Sequence, residues 1–67
     1  MSTIRVNGKE IELEAALSLQ ELLRQEGFDA GSIAVEKNGH IVAKAAYATE
    51  MLSGGDKLEI VRLVGGG

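Results

Sequence analysis

The sequence holds no cysteine, no proline and no tryptophan, and one each of histidine, tyrosine and phenylalanine among its 67 residues. Without cysteine there is no disulfide framework, no thiolate nucleophile and no thiolate metal ligand. A lone histidine leaves a dedicated zinc or iron site short of ligands. Basic residues are in the minority, seven against ten acidic, for a net charge of -3. The basic surplus that a nucleic-acid binder gathers on one face is therefore missing. No apolar run approaches the roughly 20 residues that span a bilayer. The opening Met1-Ser2-Thr3-Ile4-Arg5 has neither the charged-then-apolar order of a signal peptide nor the look of a transit peptide. These absences point to a cytoplasmic protein with no nucleic-acid and no membrane partner. One small domain is expected. A chain this short buries a smaller fraction of its surface than most domains, so its stability rests on packing the 45% of residues that are hydrophobic.

With proline absent, turns fall to Gly and Asn. Two Asn-Gly pairs, Asn7-Gly8 and Asn38-Gly39, each separate β-prone segments, and Asn-Gly suits the positive backbone angles of a type I′ turn. We read Thr3–Val6 with Lys9–Leu13 as one hairpin and Ile33–Lys37 with His40–Val42 as a second. A two-residue turn at Asn7-Gly8 sets Val6 against Lys9, Arg5 against Glu10 and Ile4 against Ile11. Alternation then gathers Ile4, Val6, Ile11 and Leu13 on one face, with Arg5, Glu10 and Glu12 on the other. In the second hairpin Val35 falls opposite Val42 and Glu36 opposite Ile41, a less clean division.

Between the hairpins Ser18 is an N-cap, and Glu21 three residues on completes a capping box. Leu19, Leu22 and Leu23 make an apolar stripe at helical spacing, while Gln20, Glu21, Arg24 and Gln25 face water. Gly27 supplies the C-cap, and Phe28 is expected to fold back under the helix as a core plug. Lys44–Leu52 is ambiguous; its alanines and Tyr47 suit a short helical turn. Ser53-Gly54-Gly55-Asp56 is a turn, and Lys57–Val64 a final strand. The order β-β-α-β-β-β predicts an α+β fold, one helix on one mixed five-stranded sheet. It fits the ubiquitin-like β-grasp, where the first and last strands lie parallel at the sheet centre, joined by a helix-containing crossover. The expected organisation is a domain over residues 1–64 and a flexible glycine tail over 65–67.

A single helix covers a single face of the sheet. In the last strand Leu58 and Ile60 alternate toward it, leaving Glu59, Val61 and Leu63 on the open face. With Ala34 and Ile41 these form an exposed apolar patch fringed by Glu10, Glu12, Glu36 and Glu59, the composition of a transient protein interface. Val and Leu are also simply good strand formers on a solvated face. The tail Gly65-Gly66-Gly67 is the sharpest functional signal. Three residues reach roughly 10 Å when extended, and without side chains they enter a channel that excludes bulkier residues. Its α-carboxylate, ionised at neutral pH because it titrates near ~3.5, is a poor electrophile and needs activation, for example as an acyl-adenylate. A frayed glycine end is the plainer alternative.

Elsewhere no catalytic set emerges. His40 follows a turn with no Cys, Asp or Ser positioned beside it and reads as a solvated residue. Ser18 is a cap, Tyr47 is expected to pack on the sheet edge, and Gly54-Gly55 lacks the Lys-Ser/Thr of a phosphate loop.

Over nearly its whole length the chain resembles the ThiS family, the sulfur carriers of thiamin thiazole synthesis. The resemblance is carried by Ser18-Leu19-x-x-Leu22-Leu23, Ala34-Val35-Glu36-x-Asn38, Ile41-Val42, Gly55-Asp56 and Glu59-Ile60-Val61-x-Leu63-Val64-Gly65-Gly66-Gly67. Leu63 stands where family members often carry Phe. The resemblance implies a carrier rather than an enzyme, free as a monomer and binding no cofactor itself. Gly67 would be adenylated by a ubiquitin-activating-like adenylyltransferase (ThiF-type) using ATP, and converted to a thiocarboxylate with a sulfur donor. It would then deliver sulfur to thiazole synthase (ThiG-type), with Gly65 and Gly66 inserted in the partner. Val61, Leu63, Val64, Ala34 and Ile41 would form the partner-binding face. The small subunit of molybdopterin synthase, carriers of other pathways and a non-covalent β-grasp binding module are the alternatives.

Overall fold

The structure, a computed structural model, describes residues 2–63. Strand β1 (Ser2–Val6) turns at Asn7-Gly8 into β2 (Lys9–Leu13), with Val6 opposite Lys9 and Ile4 opposite Ile11 as the two-residue turn requires. Asn7 at φ 51° and Gly8 at φ 84° supply the left-handed angles of that turn. The second Asn-Gly pair works identically between β4 (Ile33–Lys37) and β5 (His40–Val42), with Val35 opposite Val42.

Helix α1 (Leu19–Gln25) starts at the predicted capping box. The Glu21 N–H donates to Ser18 Oγ at 3.1 Å, and the Ser18 N–H donates to Glu21 Oε1 at 3.0 Å. The donated Ser18 N–H, with the Ser18 hydroxyl contact next, holds the Glu21 carboxyl below its ordinary range. The helix ends in a Schellman pattern: the Phe28 N–H reaches the Leu23 carbonyl and the Gly27 N–H the Arg24 carbonyl, with Gly27 at φ 81°. Phe28 does not become a core plug. It lies partly buried at the margin of the core, where Arg62 rides over its ring at 5.6 Å from the centroid.

The ambiguous stretch resolves into a 3-10 turn at Lys44–Ala46 and a two-residue strand, β6 (Met51–Leu52). That strand pairs antiparallel with another two-residue strand, β3 (Leu17–Ser18), just ahead of the helix. Tyr47 is buried inside the core, not set on the sheet edge, and burial pushes its hydroxyl pKa up.

The last strand, β7 (Lys57–Arg62), completes a five-stranded sheet in the order β2-β1-β7-β4-β5. It runs parallel to β1 and antiparallel to β4, the ubiquitin-like β-grasp arrangement expected from the element order. Leu58 and Ile60 meet Ile4, Val6, Ile33 and Val35 from the sheet and Leu19, Leu22 and Leu23 from the helix in one core. Beside the hairpin signals, the two turn asparagines hold β7. The Asn7 side chain donates to the Ile60 carbonyl (3.1 Å) and accepts from the Ile60 N–H (2.7 Å). The Asn38 side chain accepts from the Lys57 N–H (2.9 Å) and donates to Asp56 (3.0 Å). Asp56 also accepts from the Ser53 N–H and lies 3.5 Å from Lys37, whose ammonium bonds Glu50 at 2.8 Å. Burial would raise the Asp56 pKa, but the Ser53 N–H, the Asn38 amide and Lys37 outweigh it and hold the carboxyl low. The hydrogen bond to Glu50 pulls the Lys37 pKa up.

Candidate partner-binding face

Strand β7 sits between β1 and β4, so its outward side chains occupy the middle of the sheet face opposite the helix. Val61 stands directly opposite Ala34 across the β4–β7 pair. Leu63 follows two residues on, past the assigned end of the strand at Arg62, yet its N–H still donates to the Ser32 carbonyl at 2.8 Å. Of the four large apolar side chains most exposed among the described residues, Ile41 and Val61 lie on this side, Leu63 stands past the end of β7 beside the hollow at Phe28, and Met51 is on β6. Val61 and Leu63 are 59% and 56% exposed.

The patch is not continuous in the way the pattern suggested. Ile41 stands opposite Glu36, and Glu36 in turn stands opposite Glu59. Glu36 therefore stands between Ile41 and β7 in that row, and Ile41 reaches Ala34 only diagonally. The expected acidic fringe is also altered. Glu10 and Glu12 lie on β2, two strands from β7, a distance of roughly 10 Å at ordinary strand spacing. Arg5 stands between, paired with Glu10 at 3.4 Å, and Lys57 lies 3.9 Å from Glu59. The border is thus mixed in charge on the β1 side and acidic only at Glu36 and Glu59. Two like charges directly opposite one another cost the free sheet stability; a basic group brought by a partner would relieve that cost.

Arg62 has the parity of Ile60 and turns to the helix side. There it covers Phe28 and borders a shallow hollow of about 180 Å³ with Asp29, Ser32 and Leu63. Asp29 accepts from the Gly31 N–H and the Ser32 hydroxyl, both at 3.0 Å, and these bonds keep its carboxyl low. His40 is exposed on β5. Among the described residues no three His, Cys, Asp or Glu side chains converge as metal ligands would, and no helix is long and apolar enough to cross a membrane. Val64, Gly65, Gly66 and Gly67, the tail and its base, lie outside the described residues.

The sequence-level reading missed the part played by Asn7 and Asn38, which fix the strand that carries Val61. The signal was the Asn in each Asn-Gly pair, but its partners lie up to 53 residues away.

The model of the ThiS family matches residues 4–67, through the last glycine. A crystal structure of a thiamine biosynthesis protein (ThiS) from Geobacter metallireducens superimposes with a TM-score of 0.83. It is 29% identical, over 97% of this chain and 99% of that one. A thiazole synthase of Paramagnetospirillum magneticum is 44% identical over 62 residues, 92% of this chain but 19% of that protein. The chain spans about a fifth of the length of the thiazole synthases it matches. The uncharacterized protein ycf40 of Pyropia yezoensis is 34% identical over 97% of this chain and 92% of its own length.

Proposed function

This chain belongs to the ThiS family, and from that premise we propose that it is a sulfur carrier of thiamin biosynthesis whose reacting group is the terminal carboxylate of Gly67. The observation that carries the reading is the family match running through the terminal glycines on a fold whose central strand leads to them. In the first step a carboxylate oxygen of Gly67 attacks the α-phosphorus of ATP in the site of a ThiF-type adenylyltransferase, and pyrophosphate leaves. The resulting acyl-adenylate has an electrophilic carbonyl. Hydrosulfide adds there, AMP departs as the carbon–oxygen bond breaks, the sulfur loses its proton, and the acid becomes a thiocarboxylate. That group is a soft nucleophile, able to hand its sulfur to a ThiG-type thiazole synthase in the cytoplasm.

This chain contributes recognition and a handle; the catalytic groups belong to the partners. Val61, Ala34 and Leu63 offer the apolar contact, and the opposed Glu36 and Glu59 suit a partner that brings a basic side chain. Gly65 and Gly66 would thread the partner's channel. Similarity to part of a thiazole synthase favours the thiazole pathway over molybdopterin synthesis. Intact-mass measurement of the native protein, then of protein incubated with a ThiF-type enzyme, ATP and a sulfur source, tests the proposal. The expected result is a chain ending at Gly67 with one oxygen exchanged for sulfur. A mature polypeptide continuing beyond Gly67, or no exchange with an activating enzyme proven on its own carrier, would overturn it.

A further inference from the structure

Asn-Gly is the dipeptide most prone to lose ammonia, because the glycine nitrogen meets no side chain of its own on the way to the asparagine amide carbon. We propose that Asn7 is a deamidation site whose reaction is held back by its clamp on β7. The Gly8 nitrogen gives up its proton and bonds to the Asn7 side-chain carbon. The carbon–nitrogen bond of the amide breaks, ammonia leaves and a cyclic imide remains. One water then opens either imide bond, giving aspartate or isoaspartate with the chain intact.

Nothing steric guards this site. Asn7 is exposed, and the position where a Gly8 side chain would sit has open space around it. The restraint is hydrogen bonding. The amide must swing toward Gly8 to react, but its nitrogen is bonded to the Ile60 carbonyl (3.1 Å) and its oxygen to the Ile60 N–H (2.7 Å). The Asn7 N–H adds a third bond to the same strand, to the Leu58 carbonyl at 2.9 Å. Once the reaction has occurred, the clamp cannot re-form whole, because the bond donated to the Ile60 carbonyl is lost. Aspartate lacks the donor and sets a carboxylate oxygen against the Ile60 carbonyl. Isoaspartate lengthens the backbone of a two-residue turn and shifts the Val6–Lys9 register. Deamidation at Asn7 therefore accumulates with the total time its side chain spends detached from β7.

The test follows ammonia loss at Asn7 in the full chain, folded and unfolded in guanidinium chloride, in mildly alkaline buffer, by mass spectrometry of proteolytic peptides. Two side-chain hydrogen bonds at their ordinary net worth correspond to a folded-state rate about 10- to 100-fold slower. Equal rates in the folded and unfolded chain would overturn the gating. Folded protein carrying the lesion, produced by ageing or as Asn7→Asp, should exchange its Ile60 amide hydrogen at least about tenfold faster than the parent. Ageing supplies that sample if the variant fails to fold, and unchanged protection at Ile60 would overturn the loss of the clamp.

Discussion

Replacing Asp56 by Ala tests whether the polar cluster at the entrance to β7 holds the sheet together. Its carboxylate accepts from the Ser53 N–H at 2.8 Å and the Asn38 amide at 3.0 Å, and stands 3.5 Å from the Lys37 ammonium. The side chain is 12% exposed, so water replaces those contacts incompletely. Hydrogen bonds to a charged group contribute about 1.5–3 kcal/mol each. Because Ser53 and Asn38 are themselves exposed, the lower part of that range applies, and Lys37 keeps Glu50 and the Met51 carbonyl. The loss for Asp56→Ala comes to about 2–4 kcal/mol. For a domain of this size that lowers Tm by roughly 10–30 °C, measured by circular dichroism at neutral pH. Acid titration adds a second check. The folded pKa of Asp56 is depressed, so its contribution is complete above the unfolded value of about 3.9 and disappears as pH falls through the folded one. Asp56→Asn should lack that part of the acid loss. A Tm within about 2 °C of the parent for Asp56→Ala, or an unchanged acid limb for Asp56→Asn, would refute the reasoning.

Leu22 is fully buried beneath the helix, so Leu22→Ala should cost about 2–5 kcal/mol; denaturant unfolding reads this directly, and a loss under 1 kcal/mol would mean the helix side chains do not form the core. Val61→Glu adds charge to a site that is 59% exposed. It should leave stability within about 0.5 kcal/mol while slowing adenylation by the activating enzyme at least about tenfold, as loss of one anchoring contact does; an unchanged adenylation rate would mean the open face is not the docking surface. Deleting Gly67 should abolish sulfur incorporation with little change in Tm, because Asn7, Asn38 and the Leu63–Ser32 bond that secure β7 all precede it; residual thiocarboxylate on the shortened chain would place the reacting group elsewhere.

Both hairpins were legible because an Asn-Gly turn is a local feature that also dictates register. Once Val6 is opposite Lys9, every later pair follows. The helix start was legible for the same reason, its Ser18–Glu21 exchange spanning three residues. The paired strands at Leu17–Ser18 and Met51–Leu52 were not, since two residues carry no periodicity. Tyr47 escaped because nothing local tells whether an aromatic in a loop turns inward or outward. On the open face, alternation sufficed to set Val61 beside Ala34, but it could not place Leu63, which lies past the end of the strand. The apolar patch was drawn too broadly because alternation assigns a face, and strand order decides which residues on it are neighbours. Glu36 intervenes beside Ile41, and Arg5 stands in front of Glu10.

Strand β7 joins two hairpins that otherwise share no edge: one is built from residues before the helix, the other from residues after it. A chain cut short before Lys57 possesses both ribbons but nothing to zip them together. Closure of the sheet must therefore await β7, the segment that leads into Gly65. A partner that grips the β4–β7 face would thus meet only a sheet already closed.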